Sequence, residues 1–447
     1  MEKLRRLKGK EFMKRKCSPM KSSPRAGVTV ALLLLMAAAS SCGGGTSAPP
    51  VGLPGAPPVV DVNSYVGQPG DSPTGNSLWS ININRTANTY SYGPTSGPPT
   101  TGSTAILNNN FVVLLGANGY QSGLAVENPG QGIILRPGDS TAPLVFAVQQ
   151  PSCFSIGGNV KFLYALSPGI NGPTSPFFGE IYAATSSDGS WQFNNQTNFV
   201  SPYQFSAQEG SNVPSASEFP GYPGDFPATC AASNGAATVS ATPLAYFNGG
   251  ADTFPVPTQF VISPGGLLFE NQNYASVPVT EGLDYTNVSD WGVSEPDMPL
   301  VVGGFAAANY VGFLFESDPS SAIYRTRLVG FGNAPIAGTM MNGGTFPNED
   351  PTQPVTVNMS VTFNTQDPLN NGVYYLAKLT IPNDAPSTFT GSCLSYGVST
   401  TGTSTCTNDG VAMVGQQNTP GAGEQYTIIM SASDANGDQK TLVLFQQ

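Results

Sequence analysis

The chain of 447 residues has no histidine. That absence removes Ser-His-Asp and Cys-His nucleophilic machinery and every imidazole-based zinc centre, because each needs a ring that moves protons or binds metal near neutral pH. Chemistry left open is carboxylate catalysis, Ser-Lys pairs and oxygen-ligand cation sites. The six cysteines contain no C-x-x-C pair, so a four-thiolate zinc site has no sequence support either. No G-x-x-x-x-G-K-[ST] phosphate loop and no S-x-x-K pattern with supporting motifs occurs.

Positive charge is also scarce where it matters. Ten of the 17 basic residues lie before Cys42, against only Glu2 and Glu11 of the 28 acidic ones. Beyond residue 41 there remain seven basic residues, Arg85, Arg136, Lys161, Arg325, Arg327, Lys378 and Lys440, against 26 acidic ones, a net charge of −19. No basic stripe exists to neutralise phosphates, which excludes nucleic acid as a partner.

A hydrophobic run long enough to span a bilayer is missing too. Residues 26–39 form an apolar stretch of 14, whereas a transmembrane helix needs about 20. The length fits the apolar region of a secretory signal, roughly 7 to 15 residues behind a basic segment. Ala39, Ser40 and Ser41 then lead to Cys42. This resembles the lipobox of bacterial lipoproteins, although the leucine most common three residues before the cysteine is here Ala39. The resemblance implies removal of residues 1–41, acylation of Cys42 and a partnership with the membrane through that lipid anchor. Gly43 in place of aspartate favours the outer over the inner membrane by the same analogy. Residues 42–60, "CGGGTSAPPVGLPGAPPVV", have no periodic apolar face and read as a lipidated Gly/Ser/Pro tether without packed structure.

Beyond the tether, short apolar or alternating runs recur between turn residues, among them "SLWSININRT" (77–86), "NFVVLLGA" (110–117), "VKFLYALSP" (160–168), "YVGFLFES" (310–317) and "QYTIIMSAS" (425–433). Strands joined by short turns pair antiparallel, so the fold class is all-β. The expected organisation is antiparallel meanders forming two β-barrel or β-sandwich domains, 61–290 with a long loop at 200–257, and 291–447. Four cysteines remain for disulfides, and sequence proximity favours Cys153 with Cys230 and Cys393 with Cys406.

Several clusters are candidates for function. The loop "EFPGYPGDF" (218–226) offers Phe219, Tyr222 and Phe226 as a ligand-binding patch. Glu295 with Asp297, and Glu349 with Asp350, are the carboxylate pairs a glycan-active enzyme would need; on so acidic a chain, solvated loop charges are the preferred explanation of both. Asp434, Asn436 and Asp438 alternate as calcium ligands do, but lack the distal glutamate, and an Asn-Gly hairpin turn explains the same residues. No catalytic residue, metal site or cofactor is assigned.

The stretches "GIILRPGDSTAPL", "GGTFPNEDPTQPVTVNMSVTFNTQDPLNNGVYY" and the terminal "LVLFQQ" resemble segments of β-rich predicted lipoproteins of diderm soil bacteria. That likeness implies an envelope location and carries no activity. The expected function is an exported, lipid-anchored envelope protein acting as a non-catalytic binding or structural module, its partner an envelope protein or glycan. The alternatives are a carboxylate-dependent glycan-active enzyme and a lipocalin-like carrier.

Overall fold

The computed structural model describes residues 62–69, 78–107, 111–138, 144–149, 153–158, 160–166, 178–185, 189–194, 199–200, 218–219, 225–231, 236–239, 258–273, 287–318, 323–332, 338–347, 356–366, 371–382, 405–419, 423–433 and 439–447. Nearly all of them are strand, and the all-β expectation holds.

Barrel one is an antiparallel meander of eight strands. They are β1 (Val62–Pro69), β2 (Trp79–Asn84), β3 (Thr89–Pro94), β4 (Thr100–Ile106), β5 (Phe111–Leu115), β6 (Gln121–Asn128), β7 (Gly132–Pro137) and β8 (Val145–Gln149). Closure comes from β8 returning to β1, with Val148 opposite Val66. The sequence of β2, WSININ, shows why: Ile81 and Ile83 are buried in the interior, and the polar residues between them face outward. There Asn82 accepts from Ser64 Oγ at 2.6 Å and donates to Ser91 Oγ at 3.1 Å, tying three strands on the outer wall.

Barrel two is built from β9 (Val160–Leu166), β10 (Phe178–Thr185), β11 (Trp191–Asn194), β14 (Asp225–Cys230), β15 (Ala236–Val239), β16 (Thr258–Ile262), β17 (Leu267–Asn273) and β18 (Asn287–Ser294). Between β11 and β14 a small ribbon of β12 (Phe199–Val200) and β13 (Glu218–Phe219) is inserted. The core of the barrel stacks Phe193 on Phe260 with centroids 4.0 Å apart, and Trp191 donates its indole N–H to the Phe154 carbonyl at 2.8 Å.

A short helix α1 (Val302–Phe305) leads into the third sheet: β19 (Tyr310–Asp318), β20 (Ile323–Phe331), β21 (Met340–Pro347), β22 (Thr356–Thr362), β23 (Thr365–Gln366), β24 (Val373–Pro382), β25 (Thr405–Thr419), β26 (Gly423–Ser433) and β27 (Gln439–Gln446). Strand β22 pairs Thr362 with Lys378 of β24, and β23 continues in the same register with Thr365 opposite Tyr375. Strands β22 and β23 are therefore one interrupted strand, and the sheet closes on itself as a ring of eight. The last hairpin, β26 with β27, brackets residues 434–438 between Ser433 and Gln439. Eight strands enclose an interior that side chains just fill.

The three rings belong to one compact unit. At their junction each contributes one aromatic side chain from its outer face. Phe146 of β8 stacks on Trp291 of β18 at 4.9 Å and tilts against Phe445 of β27 at 6.4 Å, all three fully buried. Gly265, in the β16–β17 turn, lies against the Gln131 amide of barrel one; a Cβ there would fall 1.6 Å from Gln131 Oε1 and force that amide to move. Arg136 Nη1 donates to the Thr326 carbonyl at 3.0 Å and joins barrels one and three. Barrels two and three are joined through Glu295, which accepts from the Asn371 backbone N–H at 2.7 Å. Among the described residues no helix is long and apolar enough to cross a membrane.

Candidate functional site

Inward-facing positions on β2 and β3 build an aromatic wall in barrel one. Trp79, Tyr92 and Tyr90 lie nearly parallel, with Trp79 and Tyr92 5.9 Å apart at 12° and Tyr92 and Tyr90 5.7 Å apart at 13°. Gly102 on β4 makes room for this, since a Cβ there would meet the Tyr90 ring at 2.7 Å. The Tyr90 hydroxyl and Ser122 Oγ share a hydrogen bond of 2.9 Å. Burial, reinforced by neighbouring Tyr90, pushes the Tyr92 phenol up, while a hydrogen bond with the Thr100 side chain acts in the opposite sense.

Because the strands alternate in direction, the connections β1–β2, β3–β4, β5–β6 and β7–β8 all sit at one end of the barrel. Trp79 opens β2 at that end and is only partly buried, so the wall runs from the interior out to the rim. The β5–β6 turn adds Tyr120, 74% exposed. That turn is fixed by Gly116 N–H to Tyr120 O at 2.9 Å, Gly119 N–H to Gly116 O at 2.8 Å and Tyr120 N–H to Asn118 Oδ1 at 3.1 Å, with Gly119 at φ 75°. Neither described rim loop, 95–99 "TSGPP" nor 116–120 "GANGY", carries a charge.

Ionic side chains are drawn inside instead. In barrel one the buried Glu127 carboxylate accepts from Arg85 Nη2 at 2.6 Å, Asn63 Nδ2 at 2.8 Å and the Tyr65 hydroxyl. Burial first, then the Glu127 charge, drives the Tyr65 phenol well above the ordinary value for tyrosine. In barrel three Glu316 accepts from Lys440 Nζ at 2.7 Å and forms an ion pair with Arg327, its Nε 2.9 Å away. Burial alone would raise the Glu316 carboxyl, but the Lys440 and Arg327 charges outweigh it and hold the carboxyl below the usual range. Lys440, whose sequence context is that of an ordinary strand lysine, is thus a buried ion.

The opposite face of barrel three is closed by α1. Phe305 enters the interior and is surrounded by Phe363, Tyr374 and Tyr426 at centroid distances of 5.0, 5.8 and 6.1 Å. The Tyr374 hydroxyl donates to the Leu300 carbonyl, and that of Tyr310 to the Phe305 carbonyl, both at 2.8 Å.

The residues singled out in the sequence are scattered over this body. A disulfide joins Cys153 to Cys230 with Cα atoms 5.9 Å apart. Cys406 lies on β25 opposite Ile381, and Cys393 and Cys42 lie outside the described residues. The segment 218–226 is divided between elements. Phe219 pairs with Phe199 in the β12–β13 ribbon, while Phe226 is in β14 opposite Phe193 of the barrel-two core. Tyr222, Glu349, Asp350, Asp434, Asn436 and Asp438 lie outside the described residues. Glu295 is held by Lys161 Nζ at 3.2 Å as well as by Asn371, whereas Asp297 is exposed. Sequence reasoning missed the aromatic wall itself, although its signal, Tyr90-x-Tyr92 beside a strand beginning with tryptophan, is present in the chain.

No protein-family model matches the chain, and no curated protein matches it by sequence. Among solved structures it is similar to isotype 1 transferrin binding protein B (TbpB) from serogroup B Neisseria meningitidis, at 10% identity and a TM-score of 0.25. The alignment covers 83% of this chain and 66% of that one, so the chain spans just under two thirds of its neighbour's length. At those values the likeness transfers neither fold nor function.

Proposed function

We propose that this is an exported protein of the cell envelope, anchored to the outer membrane through acylated Cys42, whose three-barrel body is a non-catalytic binding module. The signal-like 26–39 run, the lipobox resemblance at 39–42 and the Gly/Ser/Pro tether support export and anchoring. The Cys153–Cys230 disulfide suits an oxidising compartment.

One observation carries the binding reading. The buried carboxylates Glu127 and Glu316 each hold basic partners inside a barrel, while the aromatic wall of barrel one leads to a rim whose described loops, 95–99 and 116–120, carry no charge. Charges committed this way hold strands together; an aromatic face at a rim offers contact area to a ligand. The test uses the full chain, purified in detergent and immobilised, against envelope extract. Retention of a glycan or protein recovered chemically unchanged is the expected result. Recovery of a shortened glycan would overturn the non-catalytic reading. The anchor is tested by palmitate incorporation, which Cys42→Ser should abolish.

A further inference from the structure

We infer that the rim of barrel one binds a neutral, hydroxyl-rich sugar polymer, with Trp79 as its stacking platform and Tyr120 as a second contact. This rests on the binding reading above and specifies its ligand.

Trp79 is held by Tyr92, which is held in turn by Tyr90, and Gly102 gives the Tyr90 ring its place. Little freedom is left for Trp79 to lose on binding, and pre-organisation of this kind favours affinity. A flat aromatic face takes the apolar C–H face of a sugar ring, and the ring's hydroxyls need polar partners at its edge. Backbone groups and the Asn118 side chain of the 116–120 turn lie at the same rim.

Charge then selects the class of sugar. The cations Arg85, Arg327, Lys440 and Lys161 are engaged with Glu127, Glu316 and Glu295, and Arg136 with the Thr326 carbonyl. The described rim loops carry no charge, and the chain beyond residue 41 is strongly acidic. An anionic polymer would meet repulsion there, and no counter-charge on the described loops. An apolar molecule inside the barrel would compete with Tyr65, Ile81, Ile83, Tyr90, Val112 and Leu114, which already fill the core.

Tryptophan fluorescence supplies the readout. Trp191 and Trp291 are 1% and 0% exposed, so Trp79 dominates quenching by acrylamide. The full chain in a zwitterionic, sugar-free detergent is titrated with a neutral glucan, a neutral mannan and an anionic polysaccharide of matched length. The expected result is saturable protection of Trp79 by a neutral polymer and none by the anionic one. Direct binding, measured by equilibrium dialysis, should weaken at least about tenfold in Trp79→Ala, equivalent to about 1.4 kcal/mol. It should weaken severalfold in Tyr120→Ala and largely persist in Trp79→Phe. Far-UV circular dichroism establishes that each variant is folded. Neutral-polymer binding unchanged in folded Trp79→Ala and Tyr120→Ala would overturn the site. Preference for the anionic polymer would overturn the ligand class. If no neutral polymer binds while an envelope protein is retained, the inference fails and the binding reading stands; if the chain retains nothing, both fail.

Discussion

Replacing Glu316 by glutamine tests the ionic interior of barrel three. The carboxylate is about as enclosed as its partners, with side-chain exposure of 5% against 4% for Arg327 and 3% for Lys440. Glutamine keeps the volume but leaves two like charges buried side by side. Breaking a buried ion pair by removing one partner costs about 3–5 kcal/mol, and at roughly 2–4 °C per kcal/mol for a domain of this size the midpoint should fall by roughly 10 °C. Thermal unfolding followed by far-UV circular dichroism reads the shift. A control, Glu316→Leu with Arg327→Met and Lys440→Leu, removes all three charges and should recover much of the loss, because apolar replacement of a whole buried ionic group is often neutral or stabilising. The pH profile gives a second, independent readout. The Glu316 carboxyl is held below its ordinary value by Lys440 and Arg327, against the opposing effect of burial. On acidification the unfolded chain therefore binds its proton first. Stabilisation from this group is complete above the unfolded carboxyl value of about 4.3 and is lost as the pH falls through the lower folded value. Glu316→Gln should have a shallower acid dependence than wild type. A variant within 1 °C of wild type and with the same acid profile would refute the reasoning.

Packing sets three further outcomes. Removing the Cys153–Cys230 bridge, which spans 77 residues, should destabilise barrel two by about 4.5 kcal/mol on a chain-entropy estimate; denaturation of Cys153→Ser/Cys230→Ser beside the oxidised wild type measures it. Trp191→Phe should cost more than Trp291→Phe, since the Trp191 N–H bonds the Phe154 carbonyl whereas the buried Trp291 N–H has no hydrogen-bond partner among the described residues. Paired melts of the two variants compare them, and equal losses would mean that the indole bond contributes nothing. Phe305→Ala should cost about 3–5 kcal/mol, because it empties the ring of Phe363, Tyr374 and Tyr426 at the mouth of barrel three; a loss below about 1 kcal/mol would mean that α1 does not seal that barrel.

The strands were legible because their pattern is local. In WSININ the isoleucines and polar residues alternate, and the interior and outer wall follow from that alternation. Ring membership was not legible. The passage from barrel one to barrel two, 150–159, "QPSCFSIGGN", has the same Pro, Ser and Gly composition as the turns within barrels, and the pairing of β8 with β1 brings together residues some 80 positions apart. Nor does local sequence show why Glu127 and Glu316 occupy inward positions: Arg85 is 42 residues from Glu127, and although Arg327 stands on the next strand to Glu316, its second cation, Lys440, is 124 residues away. The segment 218–226 stands out in the sequence for its aromatics, yet the β11–β14 pairing places its last residue opposite the barrel-two core. Trp79 and Tyr120 became a single rim only once the meander had closed.

The most direct measurement of the account is amide hydrogen exchange of the full chain with and without saturating ligand retained from envelope extract. Protection concentrated at the start of β2, the β3–β4 turn and residues 116–120 is the predicted result. Protection confined to the β12–β13 ribbon or to the α1 mouth of barrel three, with the barrel-one rim unchanged, would contradict it.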